Sequence, residues 1–303
     1  MKNTKTIFCF LYLIIFYDLS FAGTSPGTDS LQFLKICVGA RQTALADSSC
    51  VLTDANSVFS NPAAIEPIEV PSLIISHNQW LEGITQQSLA GTLKTDYGNL
   101  GFGVLYLHMD NMKGYDIDTT GNPVKISDFT SYDLAGVLSY NRTIKKCSAG
   151  ISLKTFQEKI EDESAIGICL DLGLYRRIND LSFGVAVQNL GPKIKFIDKD
   201  ESLPLNISIG AGCQLPEYPL LFVGNIDKPD TNDYEFSFGT EYSLKNVLDV
   251  RMGYRSANDN REGISAGIGI RISTWIIDYA YIPFGDLGDI HRISISTRLD
   301  RRN

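Results

Sequence analysis

The sequence of 303 residues predicts an all-β protein, a 14-stranded antiparallel transmembrane β-barrel with an N-terminal hatch inside or under the lumen. Three observations predict this fold. From Val70 onward, bulky apolar residues alternate with small or polar ones, which is the period of a strand with two different faces. The alternating segments run to about 9–11 residues, the length that a tilted strand needs to cross a membrane. The connections between them alternate between short and long.

The first 22 residues have the pattern of a secretory signal peptide. Lys2 and Lys5 form a basic start, residues 7–17 form an apolar core, and the small residues Ser20 and Ala22 stand three residues and one residue before a cleavage point at Gly23. This apolar core is too short to span a membrane as a helix. We therefore expect export from the cytoplasm.

The next stretch, residues 23–69, lacks clean alternation and mixes Asp, Ala, Ser and Gly as helices and turns do. It is too short to form a domain of its own. We expect it to fold as a hatch or plug, followed by the barrel over residues 70–299 and a charged tail over residues 300–303.

Fourteen segments show the alternation, and an even number is typical of bacterial single-chain barrels. With both barrel ends in the periplasm, the longer connections 110–129, 158–163 and 191–203 all face outward. The predicted strands are 71–81, 85–95, 98–109, 130–142, 147–157, 164–175, 181–190, 204–215, 219–227, 233–243, 247–256, 262–272, 274–282 and 289–299.

The predicted inward face carries charges of both signs in equal number. The negative ones are Asp133, Asp171, Glu235, Glu241, Asp249 and Asp278, and the positive ones are Lys154, Arg251, Arg255, Arg271, Arg292 and Arg298. An ion-selective pore is lined mainly by one sign, so this balance favours a plugged, non-conducting barrel. It also disfavours a conduit for fatty acids, because apolar ligands prefer apolar walls. A small apolar pocket near the hatch stays open as an alternative, formed by Leu31, Phe33, Leu34 and Phe59.

Composition excludes several other classes of function. The formal net charge is −8 and there is no Lys/Arg-rich run, so we expect no nucleic-acid partner. Three His and scattered Cys leave little for a metal site, and we expect no cofactor. Residues 116–121 resemble the start of a calcium loop, but Ser127 stands where that loop needs Glu. A Cys37–Cys50 disulfide is left open.

We also expect that the protein is not an enzyme. Residues 263–267 match the letters of the G-x-S-x-G motif, which needs a strand, a sharp turn and a helix around its serine. Here the motif lies within an alternating strand. An outer-membrane lipase with Ser265 as nucleophile is kept only as a third alternative.

Several motifs resemble a known family. Residues 39–46 (GARQTALA) and 54–65 (DANSVFSNPAAI) resemble the N-terminal hatch of the FadL superfamily of outer-membrane barrels. The segments SHNQW at 76–80, VQNLG at 187–191 and DYAYIPFGDLG at 278–288 resemble the PorV/PorQ branch of that superfamily. The resemblance extends over residues 31–299.

The resemblance implies a protein in the lipid bilayer of the cell outer membrane. PorV-like members are implied to act with type IX secretion and to meet secretion-system or cargo proteins. The alternative is FadL-like transport of a small hydrophobic molecule. The residues expected to hold the hatch, or to contact a ligand or plug, are Arg41, Asp54, Phe59, Asn61, Pro62 and Ala63. The lumen charges expected to take part are Asp171, Glu235, Glu241, Asp249, Arg251, Arg271, Asp278 and Arg292.

Overall fold

The computed structural model describes residues 31–65, 70–125, 127–196, 199–230, 233–256, 263–285 and 288–299. The predicted signal peptide and the charged tail lie outside these residues. Within the described part of the chain, no helix is long and apolar enough to cross a membrane.

The chain forms a closed antiparallel barrel of 14 strands, as the sequence predicts. Each strand pairs with the next along the chain, and the first pairs with the last, from Ser72 opposite Arg298 to Gln79 opposite His291. The barrel strands are β1 Ser72–Gln79, β2 Ile84–Thr95, β3 Gly98–Met112, β4 Phe129–Ile144, β5 Cys147–Ile160, β6 Glu163–Ile178, β7 Leu181–Leu190, β8 Asn206–Leu215, β9 Leu220–Pro229, β10 Glu235–Leu244, β11 Leu248–Arg255, β12 Ile264–Ile272, β13 Trp275–Pro283 and β14 Asp289–Arg298.

The two faces of the wall differ as the alternation predicts. In β4, Leu134 and Leu138 face outward and are exposed, whereas Ala135, Val137 and Ser139 face inward and are buried. Large apolar side chains are exposed on the outward face all around the barrel. An outward apolar band around a closed barrel is the signature of an outer-membrane protein, because lipid covers that band.

Four neighbouring strands are longer than the sequence predicts. β3, β4, β5 and β6 have 15, 16, 14 and 16 residues, whereas the other ten have 8–12. In β4 and β6 most of the extra residues lie at the periplasmic end, whereas in β3 and β5 they lie at the end with the longer connections, which faces outward in this class of barrel. There the outward residues include Thr130 and Lys159, so the contrast between the two faces that marks a strand in the sequence is lost.

Two small hairpins lie in the longest outer connections. One joins Tyr115–Ile117 to Pro123–Lys125, and the other joins Ile194–Phe196 to Lys199–Glu201. Ile117 is 73 % exposed and Tyr115 is 59 % exposed. The outer end of the barrel therefore presents apolar side chains to its surroundings.

The N-terminal segment, residues 31–65, forms short helices at Gln32–Lys35, Ala40–Ala44, Ser57–Ser60 and Pro62–Ile65. Ala44, Leu45, Val58 and Ile65 have no exposed surface. Their burial comes from the inward side chains of the barrel wall, which they contact from within. That this segment acts as a hatch remains a prediction.

Candidate functional site

The contact between the N-terminal segment and the barrel wall contains most of the residues singled out in the sequence. Inward glycines make room for the backbone of the segment. A Cβ added at Gly150 would lie 2.4 Å from the carbonyl carbon of Pro62, and one at Gly173 would lie 2.1 Å from Oδ1 of Asn61. The wall of β5 and β6 is therefore shaped to hold the turn at residues 61–63.

Asn61 fixes this turn through both ends of its amide. Its Nδ2 donates to the carbonyl oxygen of Cys50 at 2.8 Å and to that of Leu174 on β6 at 3.2 Å, while its Oδ1 accepts from the Ala63 amide at 3.0 Å. The Ala63 carbonyl in turn accepts from Nδ2 of Asn141 at 3.1 Å. Asn61 and Ala63 have no exposed surface.

Phe59 lies between the turn and an apolar cluster. A Cβ added at Gly103 would lie 2.6 Å from its ring, and its carbonyl oxygen accepts from Nε2 of Gln188 at 2.9 Å. The cluster joins residues of the N-terminal segment to the outer halves of β3–β6. Its members are Leu31, Phe33, Leu34, Val38, Leu105, Leu107, Ala135, Phe156, Ala165, Cys169, Ile194 and Leu203.

Arg41 joins the N-terminal segment to β10 through a two-pronged ion pair. Its Nε lies 2.7 Å from Oε2 of Glu241 and its Nη2 lies 2.9 Å from Oε1. Its Nη1 lies 3.5 Å from Oδ2 of Asp54 within the segment. Asp54 also accepts from Nε2 of Gln42 and from the Asn56 amide, so it holds two parts of the segment together.

Arg251 extends this pairing across three more strands. Its guanidinium lies 2.6 Å from Glu241, 2.6 Å from Asp278 and 3.1 Å from Asp249. Arg271 reaches Asp249 at 2.8 Å. We call Arg41, Asp54, Glu241, Asp249, Arg251, Arg271 and Asp278 the lumen charge cluster. Its four carboxylates and three guanidinium groups balance to within one charge.

Other lumen charges also pair or bond to the segment. Asp171 pairs with Lys154 of the neighbouring strand, at 2.6 Å from its Nζ, so this ion pair lies within the barrel wall. Arg255 pairs with Glu235 and, at 2.8 Å, with Asp47 of the segment. Arg292 donates to the Cys37 carbonyl and, at 2.6 Å, to Oγ1 of Thr43. Arg298, predicted to face inward, is exposed at the periplasmic end of β14.

The pairing sets the charge states within the segment. Burial raises the pKa of Asp54, and Arg41 together with hydrogen bonds from Asn56 and Gln42 offsets only part of that rise. Burial alone would lower the pKa of Arg41, but Glu241 outweighs it and holds that pKa above its ordinary value. Arg41 therefore stays charged and needs its carboxylate partners.

Several contacts were not predicted. Asp47, Gln42 and Thr43 bind barrel charges or Asp54, although nothing in their spacing marks them. Ser265 of the G-x-S-x-G match donates to the Ala44 carbonyl and accepts from the Ala46 amide, both at 3.1 Å. This serine thus holds the N-terminal segment, in a strand rather than in the strand–turn–helix setting of a nucleophile.

The sequence also left open a calcium-binding loop at residues 116–121 and a disulfide between Cys37 and Cys50. Oδ1 of Asp118 accepts from the Thr120 amide, from Oγ1 of Thr120 and from the Asn122 amide, which closes the turn of the outer hairpin. Across the described ranges, no group of three or more His, Cys, Asp or Glu is placed to hold a metal ion. Cys37 and Cys50 are free thiols.

A cavity of about 270 Å³ remains between the N-terminal segment and the outer half of the wall. Its lining includes the apolar residues Phe59 and Leu105 and the polar residues Asn206 and Arg255. A cavity of this size has room for several waters or one small molecule.

Replacing Arg41 with Gln is expected to loosen the N-terminal segment. The change removes the ion pair with Glu241 and leaves that carboxylate with only Arg251, which we expect to lower the free energy of unfolding by about 2–3 kcal/mol. The urea midpoint of the heat-modifiable gel band measures this. Arg41→Lys keeps the charge, so its free energy of unfolding should fall by less. Equal decreases in the two variants would contradict a role for the two-pronged geometry.

Cys50 is expected to be nearly inert to thiol reagents. Burial raises the pKa of its thiol to about 12. In chains that retain a single cysteine, Cys50 should react with a maleimide at least about 100-fold more slowly at pH 7 than half-buried Cys147 at the end of β5. Because only the thiolate reacts, the Cys50 rate should keep rising about tenfold per pH unit above pH 9. Similar rates for the two cysteines would show that the N-terminal segment opens readily.

Comparisons with known proteins give a family match and a similar fold. The model of the family described as type IX secretion system membrane protein PorP/SprF matches residues 125–287. No curated protein matches the chain. Among solved structures, the chain is similar to the Ralstonia pickettii toluene transporter TbuX, with a TM-score of 0.64, 12 % identity and coverage of 87 % of this chain and 98 % of that one. It is also similar to a deltaS2 mutant of the TodX monoaromatic hydrocarbon channel, with a TM-score of 0.57, 12 % identity and coverage of 86 % and 96 %. At this identity the structural likeness shows the fold alone.

Proposed function

Because the chain belongs to the PorP/SprF family of type IX secretion system membrane proteins, we propose that it is a non-enzymatic outer-membrane component of protein export. The family match covers residues 125–287, which is 163 of 303 residues. The motifs of the sequence suggested the PorV/PorQ branch. The matching family is PorP/SprF, and the closer PorV/PorQ assignment stays a prediction.

The observation that carries this proposal is the filled lumen. Residues 31–65 occupy the barrel interior, and Arg41, Asp47 and Thr43 bond to charged side chains of the wall. A barrel filled in this way offers no wide aqueous path of the kind that porins have. Function then depends on the surfaces at the two ends of the barrel, where protein partners can bind.

The test is deletion of the gene in the native cell, followed by restoration with an affinity-tagged copy. We expect the deletion to leave one or more exported proteins in the periplasm, and the tagged chain to co-purify with secretion components after mild detergent extraction. An unchanged set of exported proteins, together with a barrel that purifies alone, would contradict the proposal.

One observation favours the alternative of FadL-like transport. The pairing of β6 with β7 shifts register between Leu170 and Leu172, and Asn189 opposite this shift has a φ of 59°. The irregularity lies next to the apolar cluster through Cys169. An irregular pairing in the wall beside an apolar interior is where a hydrophobic compound could leave sideways into the membrane.

Uptake of radiolabelled toluene by cells with and without the gene tests this alternative, because the structurally similar TbuX is a toluene transporter. Transport predicts slower uptake in the deletion strain and recovery with the restored gene. Equal uptake in both strains would leave the export role as the better account.

A further inference from the structure

The outward face of the barrel wall carries two arginines near its periplasmic end. Arg142 lies two residues before the end of β4, and Arg176 lies two residues before the end of β6. Both residues are exposed, and they share the outward face with Leu138 and Leu174, which are 66 % and 51 % exposed. Among the described side chains of the strands, the other charges on this face lie at the outer end. Within the described strands, these two arginines are therefore the charged side chains that meet the periplasmic leaflet.

The outward side chains between the two arginines are small. Strand β5 lies between β4 and β6, and its Ala149 pairs with Arg142. The register of β5 with β6 places Cys147, one step nearer the periplasm on the same face, level with Arg176. Neighbouring strands are about 4.8 Å apart, so the two arginines stand about 10 Å apart across the wall, with a shallow floor between them. We call Arg142, Cys147, Ala149 and Arg176 the basic groove.

The basic groove lies at the level where the apolar band of the wall ends. Tyr140, one step from Arg142 on the same face, donates its hydroxyl to the carbonyl oxygen of Tyr97 in the β2–β3 turn at 2.7 Å. Tyr rings at strand ends mark the boundary between hydrocarbon and headgroups in barrels. Arg142 is one step nearer the periplasm, and Lys145 and Lys146 form the β4–β5 turn beyond it. The groove therefore meets lipid headgroups rather than acyl chains.

The positive charge of the groove is not neutralised by the protein around it. Neither of its arginines forms an ion pair within the described part of the chain. Lys145, Lys146 and Arg177 are exposed close by and add to the charge. The acidic residue of the β6–β7 turn, Asp180, lies on the side away from β5, where its carbonyl oxygen accepts from the Gln214 amide of β8 at 2.8 Å. Clustered basic side chains at the membrane surface attract anionic headgroups.

We propose that the basic groove binds the phosphate of one anionic phospholipid of the periplasmic leaflet. The planar guanidinium groups of Arg142 and Arg176 match the oxygens of a phosphate, and the small floor between them leaves room for it. The acyl chains then lie along the outward apolar side chains of β4–β6, such as Leu138 and Leu174. A lipid reaches the groove from within the bilayer, because both arginines stand on the wall that lipid surrounds.

Native mass spectrometry of the full-length chain in mild detergent tests the proposal. The probes are phosphatidylglycerol and phosphatidylcholine with identical acyl chains, which differ in the net charge of the headgroup. We expect one phosphatidylglycerol to bind at concentrations at least about tenfold lower than phosphatidylcholine needs, since each basic side chain near a membrane surface favours anionic lipid. Combining Arg142→Gln with Arg176→Gln should remove most of this difference.

Two further double variants separate the groove from general positive charge. Lys245→Gln with Arg298→Gln removes two exposed basic residues elsewhere at the periplasmic end, and the preference for phosphatidylglycerol should persist. Arg142→Lys with Arg176→Lys keeps both charges but loses the planar guanidinium groups, so it should retain only part of the preference. The groove variants should keep the folded, heat-modifiable gel band, because their arginines form no ion pair within the described part of the chain.

Equal binding of the two lipids by the unaltered chain, or an equal loss in the Lys245→Gln and Arg298→Gln control, would overturn the inference. Full competition by glycerol phosphate, which has the phosphate without acyl chains, would overturn it in favour of a site for a free anion. A photo-crosslinking amino acid at position 149 in native cells should give lipid adducts, and crosslinks only to a protein would assign the groove to a protein partner instead. The inference is independent of the export role, so either can fail while the other stands.

Discussion

Replacing Arg251 with Met is expected to prevent most of the protein from reaching its folded form. The guanidinium of Arg251 contacts Glu241, Asp249 and Asp278, and all four side chains are buried. Removing one partner of a buried ion pair costs about 3–5 kcal/mol, because the remaining charges keep their desolvation cost without compensation. That loss approaches the whole stability of many proteins, which is about 5–15 kcal/mol.

The fraction of protein that migrates as the compact, heat-modifiable band measures this effect. Arg271→Met is the matched control, since Arg271 makes one contact with the cluster, to Asp249, and 31 % of its side chain is exposed. We expect Arg271→Met to lower the free energy of unfolding by about 1 kcal/mol or less. Equal behaviour of the two variants would show that the cluster does not depend on its buried centre.

Replacing Gly150 with Ala is expected to dislodge the N-terminal segment and to open a path for ions. The new Cβ would lie 2.4 Å from the carbonyl carbon of Pro62, 2.5 Å from the Ala63 amide nitrogen and 2.6 Å from the Pro62 carbonyl oxygen. These contacts are with backbone atoms, so no side-chain rotation relieves them. Overpacking of this kind costs about 1–3 kcal/mol, and the segment can avoid it by leaving the wall.

Conductance in a planar lipid bilayer measures the opening. We expect no steady current from the unaltered protein and discrete openings from Gly150→Ala. Gly136→Ala on the neighbouring strand β4 is the matched control, because its added Cβ would meet only Oγ1 of Thr155, at an ordinary 3.5 Å. Openings in both variants, or in neither, would contradict the view that this close backbone contact seals the lumen.

The barrel could be predicted in detail because its signal is local. Side chains of a strand alternate between two faces, so the lipid-facing band is visible in each segment separately. β3 and β5 were predicted three residues too short at the outer end, since beyond the lipid the outward residues turn polar and the contrast disappears. Asp133 is an example of this limit. The alternation along its own strand predicts that its side chain points inward, but it does not predict that Glu158 on the next strand lies directly opposite.

For the candidate site, the sequence predicts which residues take part but not which of them contact each other. Parity places Glu241, Arg251 and Asp278 on the inward face, and the motif resemblance draws attention to Arg41 and Asp54. Neither gives the pairs. Gln42, Asp47 and Thr43 were missed because a polar residue in a short helical stretch carries no mark of its partner.

The sequence by itself determined the class of fold, the number of strands and the direction of most side chains in them, because all three follow from a period of two within single segments. Only the tertiary structure decided which charges meet. Arg41 and Glu241 are 200 residues apart, and they come within 2.7 Å because the barrel closes and its lumen accepts the N-terminal segment. Ion pairs of this kind depend on the register of every strand between the partners, which is a property of the closed sheet as a whole.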